Sequence, residues 1–212
     1  SAYEQNVGGI KKLYGNMGMS LKDYAKTVGK STGEVKDKWK QLGKAQDMVL
    51  KDAKEAYKTA GMDANTYMET ATQFSASLIN SLGGDTVKAS EQTKKAMVAM
   101  SDNINTFGSN AEDVQNAFKG FSKQNYTMLD NLKLGYGGTK SEMERLMRDA
   151  EKLTGEHYTV GDFADTVKAI HAVQESLGIT GTTAEEASKT LSGSFSAMKA
   201  AWTDFKGNLA DG

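Results

Sequence analysis

No cysteine occurs anywhere in the chain. That absence removes a disulfide framework, a thiolate metal site, a cysteine nucleophile and thiol redox chemistry together, and it fits a cytosolic or virion protein. Proline is missing too, where average usage of ~5% would place about ten in a chain of this length. No stretch approaches the ~18 apolar residues that a spanning helix needs, and Ser1–Ile10 carries neither the basic nor the apolar region of a secretory signal. What the chain does hold is glycine, 22 in 212 residues. Proline breaks helix interiors and glycine closes helix C-termini, so helices ended by glycine caps are expected. The expected class is all-α, a compact bundle of about eight or nine helices, in a chain long enough to bury ~70% of its unfolded surface. Ser1 and Ala2 are expected to be a cloning remnant, and both chain ends to be cuts in a longer polypeptide.

Apolar residues recur in steps of three and four nearly throughout. Val35, Trp39, Leu42, Val49, Ala53, Tyr57 and Ala60 line one face of a long helix, opened by Ser31 and Glu34 as a capping box and ended by Gly61. Tyr67, Ala71, Phe74, Leu78 and Leu82 mark a second, from near Asp63 to Gly83-Gly84. A third, capped by Asp85, carries Thr93, Met97, Met100, Ile104 and Phe107 and stops at Gly108. Ser109 with Glu112 reads as a further capping box, followed by Val114, Ala117, Phe118 and Phe121. After the Gly135–Gly138 turn, Thr139 and Glu142 again read as a capping box, with Met143, Leu146, Met147, Ala150 and Leu153 expected to be buried before Gly155. Phe163, Val167, Ile170, Gln174 and Leu177 form a weaker stripe up to Gly178. Thr183 with Glu186 opens a last helix whose Ala187, Leu191, Phe195, Met198, Trp202, Phe205 and Leu209 have the spacing of a coiled-coil seam. That seam needs an apolar partner, either the chain's own body or a second copy.

Two divisions are expected, a basic helical segment over 1–61 and a core over 62–212, unless the two form one continuous domain. Charge follows that split: residues 1–58 carry a net +5 and residues 59–212 a net −6, for the overall −1. A basic half suits an acidic partner such as a tube lumen or DNA. The i,i+4 pairs Glu34–Lys38 and Asp47–Lys51 also describe an ordinary solvated face, and the near-neutral total lacks the charge density of specific nucleic-acid binding.

Catalytic patterns are poorly met. Gly135-Tyr136-Gly137-Gly138-Thr139-Lys140 leads into a helix, where N–H groups can cradle phosphate, but Thr precedes Lys and no strand comes before the loop. The two histidines, His157 and His171, have no H-E-x-x-H and no cysteine to complete a zinc site. Glu142, Glu144, Asp149 and Glu151 raise the idea of a glycosidase carboxylate pair, yet they share one helix with Arg145, Arg148 and Lys152. Glu185 and Glu186 suit the positive end of their helix. The eleven methionines suit core filling more than an adaptable surface. No catalytic, cofactor-binding or metal residue is expected, and the chain is not expected to be an enzyme.

Residues 122–146, S-K-Q-N-Y-T-M-L-D-N-L-K-L-G-Y-G-G-T-K-S-E-M-E-R-L, are explained only in part by local physics. Together with 56–86, 101–108, 116–126, 169–188 and 196–202, in that order, they closely resemble tail tape measure proteins of long-tailed bacteriophages and prophages. The resemblance covers roughly residues 45–210, and residues 1–44 match only loosely. It implies a structural role: the full chain organises tail tube assembly, its length sets tail length, and it leaves the tube when the genome is delivered. It implies tail tube subunits, tail assembly chaperones and tail-tip proteins as partners. It places the protein in the virion tail, and in the bacterial host cytoplasm during assembly. It assigns no chemistry to Tyr126, Tyr136 or any other position. The alternatives that stay open are a tail-associated peptidoglycan-degrading domain and a secreted helical interaction module.

Overall fold

The computed structural model describes residues 1–183. Among them the chain is all-helical, with no strand. The helices are α1 (Ala2–Tyr14), α2 (Leu21–Val28), α3 (Thr32–Thr59), α4 (Ala64–Thr72), α5 (Ser75–Ser81), α6 (Thr86–Phe107), α7 (Ala111–Ser122), α8 (Lys140–Thr154) and α9 (Phe163–Ser176), with a 3-10 turn at Leu129–Leu132. The last helix expected from the sequence, with its Glu185, Glu186 and apolar seam, lies outside the described residues.

α6 is the hub. It packs against α3, α5, α7 and α9, while α8 lies along α9 and α2 packs on α3. One contiguous apolar cluster runs from Ile10 and Tyr14 to Ile170 and Ile179, so residues 1–61 and those after them feed the same core. Six methionines, at 62, 68, 97, 100, 143 and 147, fill that core, whereas Met17 and Met128 are exposed.

Local signals set most boundaries. Ser31 and Glu34 form both halves of their capping box, and Asp63 and Asp85 accept from the N–H groups of Thr66 and Lys88. Gly108 and Gly155 close α6 and α8 in the left-handed conformation, at φ 64° and 75°.

Several expectations are corrected. Tyr57 is exposed and Ala56 takes the buried place on α3. Ser109 does not cap α7; Asn110 does, accepting from Glu112 N–H. Glu142 N–H donates to Thr139 Oγ1 but the Glu142 carboxylate does not accept from Thr139 N–H, so α8 has half a capping box. Leu153 and Leu177 are at the surface. Thr182 and Thr183 are already helical and Thr183 N–H donates to Asp102, so Thr183 does not stand at the N-cap position expected of it.

The helix expected from Asp63 to Gly83 breaks in two. Phe74 leaves helical geometry at φ −130°, ψ 1°, and Ser75 Oγ donates to the Ala71 carbonyl at 2.7 Å, a back-bond that bends helices. The break sets the Phe74 ring edge-on to Phe163 at 5.9 Å. It also brings Ser75 to Tyr14, whose phenol oxygen lies 2.7 Å from Ser75 Oγ and 2.6 Å from Thr93 Oγ1. This trio ties α1 to α5 and α6 inside the core, and burial pushes the Tyr14 phenol's pKa up. A Tyr14→Phe chain is expected to lose about 1–2 kcal/mol, read as a lower urea midpoint with unchanged slope. An unchanged midpoint would show that the trio contributes nothing.

Candidate functional site

The segment 122–146 folds into a knot between α7 and α8. Asn125 N–H returns to the Gly120 carbonyl at 2.9 Å, and a side chain at Gly120 would meet the Asn125 carbonyl oxygen at 2.9 Å. Asn125 Oδ1 then accepts from Thr127 N–H at 3.0 Å and from its hydroxyl at 2.7 Å, an Asx turn that aims Tyr126 inward onto Phe121. Leu129 and Leu132 are buried beneath it. The chain returns so closely that a Cβ on Gly138 would sit 2.2 Å from the Thr127 carbonyl oxygen, while one on Gly137 would meet nothing nearer than 3.5 Å.

The glycine-rich turn is occupied by the protein's own carboxylate. Gly137 N–H donates to Glu142 Oε1 at 3.0 Å, and Arg145 reaches the same carboxylate through Nε at 2.7 Å and Nη2 at 3.0 Å. Arg145 also donates to the Gly135 carbonyl and stacks over the Tyr136 ring at 4.2 Å, and Tyr136 donates to Asp149 at 2.5 Å. Hydrogen bonds from Arg145, then from Gly137 N–H, hold the Glu142 pKa down to about 2. Burial, then the bond to Asp149, pushes the Tyr136 phenol up to about 12.

The remaining chemistry-bearing residues are spread out. His157 Nδ1 lies 2.5 Å from Glu151, whose pKa is lowered chiefly by Tyr158 N–H and next by His157. His171 is paired with Glu175 at 3.8 Å, and burial followed by the Lys95 charge lowers its pKa. Glu142, Glu144, Asp149 and Glu151 all belong to α8, and three of them are committed to the partners just named. Among the described residues no group of three His, Cys, Asp or Glu side chains could hold a metal ion.

The most ordered polar arrangement was invisible to apolar spacing. Ser101, Asp102 and Asn103 are consecutive in α6 and each is wholly buried. Successive residues on a helix point about 100° apart, so the three reach three different neighbours. Ser101 Oγ donates to the Ala60 carbonyl at 2.8 Å and lies 3.0 Å from Thr183 Oγ1. Asp102 accepts Gly181 N–H on one oxygen at 2.7 Å and Thr183 N–H on the other at 2.9 Å. Asn103 Nδ2 donates to the Leu132 carbonyl at 2.9 Å and to Gln174 Oε1 at 3.1 Å, and Gln174 Nε2 donates to the Ala99 carbonyl at 3.2 Å. Three residues of low helix propensity together inside a 22-residue helix were the available signal.

The chain was compared with family profiles, curated proteins and solved structures, and it matches none. The cluster at Ser101, Asp102 and Asn103 therefore stands on geometry alone. Its three side chains are wholly buried, and Ser101 and Asp102 hold residues 181–183 against α6.

Two outcomes are expected. Gly138→Ala should cost about 1–3 kcal/mol by driving the turn off Thr127, whereas Gly137→Ala should be near neutral; equal thermal midpoints would remove the close approach from the account. Asp102→Asn keeps the shape but aims an NH2 at one of the two N–H groups, so amide exchange at Gly181 and Thr183 should speed up tenfold or more, in line with the about 1.5–3 kcal/mol of a charged hydrogen bond. Unchanged exchange would show that the carboxylate is dispensable.

Proposed function

We propose that this chain is a structural domain of a phage or prophage tail tape measure protein, acting in tail tube assembly and genome delivery rather than in catalysis. The observation that supports the reading is where the resembling blocks meet. Ser101 belongs to block 101–108, Ala60 to 56–86, Leu132 to 122–146, and Gln174 and Thr183 to 169–188, and these residues meet around positions 101–103 in the C-terminal third of α6. The blocks that carry the likeness thus supply residues to one set of interior contacts.

The length function belongs to an extended rod. The longest helix described, α3, has 28 residues and spans roughly 42 Å at 1.5 Å per residue, while all 212 residues as one helix would span roughly 320 Å. A compact body of this size has a radius of gyration near ~17 Å. On this reading the ruler lies mostly outside the segment, and passage along a narrow tube separates these helices.

The test uses tails purified from the phage or prophage that encodes the chain. Its peptides are expected in intact tails and depleted from tails that have released DNA; absence from intact tails would overturn the proposal. A carbodiimide crosslink between Lys94 and Asp52, 3.8 Å apart in the compact chain, should form in the isolated protein and fail in tails. The same crosslink in both would leave no rearrangement. Release of muropeptides from peptidoglycan, lost on changing one α8 carboxylate, would favour a wall-degrading domain instead, and insertion into liposomes a secreted module.

A further inference from the structure

Two leucines that helical spacing assigns to the core stand at the surface, and they stand together. Leu153 and Leu177 are each 54% exposed, and both line one open groove of about 360 Å³ at the C-terminal ends of α8 and α9. Leu134 and Val173, both buried, form its floor, with Tyr136 and Lys152 beside them. Single exposed apolar side chains are ordinary. The other large ones here, Tyr3, Met17, Val28, Tyr57 and Met128, stand on five separate segments. The groove is where two helices bring their apolar stripes to solvent side by side.

An occupant is at hand in the same chain. The 29 residues from 184 to 212 contain the seam Leu191, Phe195, Met198, Trp202, Phe205 and Leu209, whose steps of four and three call for an apolar face. Their starting point is fixed, because Asp102 and Ser101 hold Thr183. Thr183 is six residues after Leu177, so it lies no more than ~21 Å of extended chain from the groove. A segment of this length, even wound as a helix of roughly 1.5 Å per residue, reaches it easily.

We propose that the apolar seam of residues 184–212 docks intramolecularly into the groove formed by Leu134, Leu153, Val173 and Leu177. The inference is independent of the tape-measure reading, since it uses only the groove, the anchored start and the seam. The groove is small, so it receives two or three of the seam's side chains, Trp202 among them, and the rest of the seam stays available to an adjoining surface.

The chain's two tryptophans make the test direct, because one is Trp202 in the seam and the other, Trp39, is distant in sequence and donates to the Met19 carbonyl at 2.8 Å. In a full-length Trp39→Phe chain, Trp202 is the sole indole reporter. Its emission should be blue-shifted at all protein concentrations, and adding Leu153→Glu with Leu177→Glu, both surface changes, should shift it to the red. The same pair in the chain retaining Trp39 should speed proteolysis within 184–212 tenfold or more at unchanged helical circular dichroism, which covers the case that Trp39→Phe fails to fold. Emission of a water-exposed Trp202 in the parent, or proteolysis indifferent to the two glutamates, would overturn the proposal. A blue shift that vanishes on dilution would overturn it as well, in favour of a second copy as the occupant.

Discussion

A carboxylate shut away from water persists only where donors converge on both of its oxygens. Asp102 meets that condition with the N–H groups of Gly181 and Thr183, and it makes no ion pair among the described residues. Because the donors are backbone groups from a segment 79 and 81 residues away in sequence, satisfying the charge requires the whole path through α7, α8 and α9 to be in place. Ser101 and Asn103 extend the same demand to α3, to the 3-10 turn and to α9. The bundle's connectivity is therefore specified by directional bonds at one level of α6. Apolar packing alone tolerates sliding, whereas a half-satisfied polar network does not.

The rest of the core is consistent with that division of labour. Ala45, Ala53, Ala56, Ala60, Ala89, Ala96 and Ala99 are all buried on α3 and α6 or at the end of α3, so these two helices lie close with little side-chain volume between them. Burial of an alanine contributes far less than burial of a leucine, at roughly 25 cal/mol per Å². Polar contacts such as Ser90 Oγ to the Ala45 carbonyl supply specificity instead. Water can replace such bonds when helices part, whereas exposed leucines remain costly. A body built this way suits the proposed role, in which a compact domain later opens along a tube.

What the sequence disclosed was local, and what it hid depended on distance or on small residues. The capping box of Ser31 and Glu34, the Asp63 and Asp85 caps and the Gly108 and Gly155 stops are written within four residues of where they act. Tyr57 was placed in the core ahead of Ala56 because an aromatic ring dominates an apolar stripe that alanines in fact carry. Ser109 and Asn110 are both good caps, and only the path out of Gly108 decides between them. Apolar spacing does not delineate α1 and α2, which bury only Ile10, Tyr14 and Ala25. The polar cluster at residues 101–103 escaped for a stronger reason: Asp102 looks like a surface residue until Gly181 and Thr183 arrive from a distant part of the chain.

Among the described residues, Glu142 and Asp102 each accept from more than one N–H donor, and their surroundings decide what each can do. Glu142 sits at the surface, where water and salt screen its attraction to Arg145, so the Gly137–Arg145 cradle can exchange partners at small cost. Asp102 sits in the interior, where losing one N–H leaves a buried charge with only the Thr182 hydroxyl, 3.5 Å away, to take its place. On the proposed reading, any separation of these helices would have to break the bonds of Asp102 to Gly181 and Thr183.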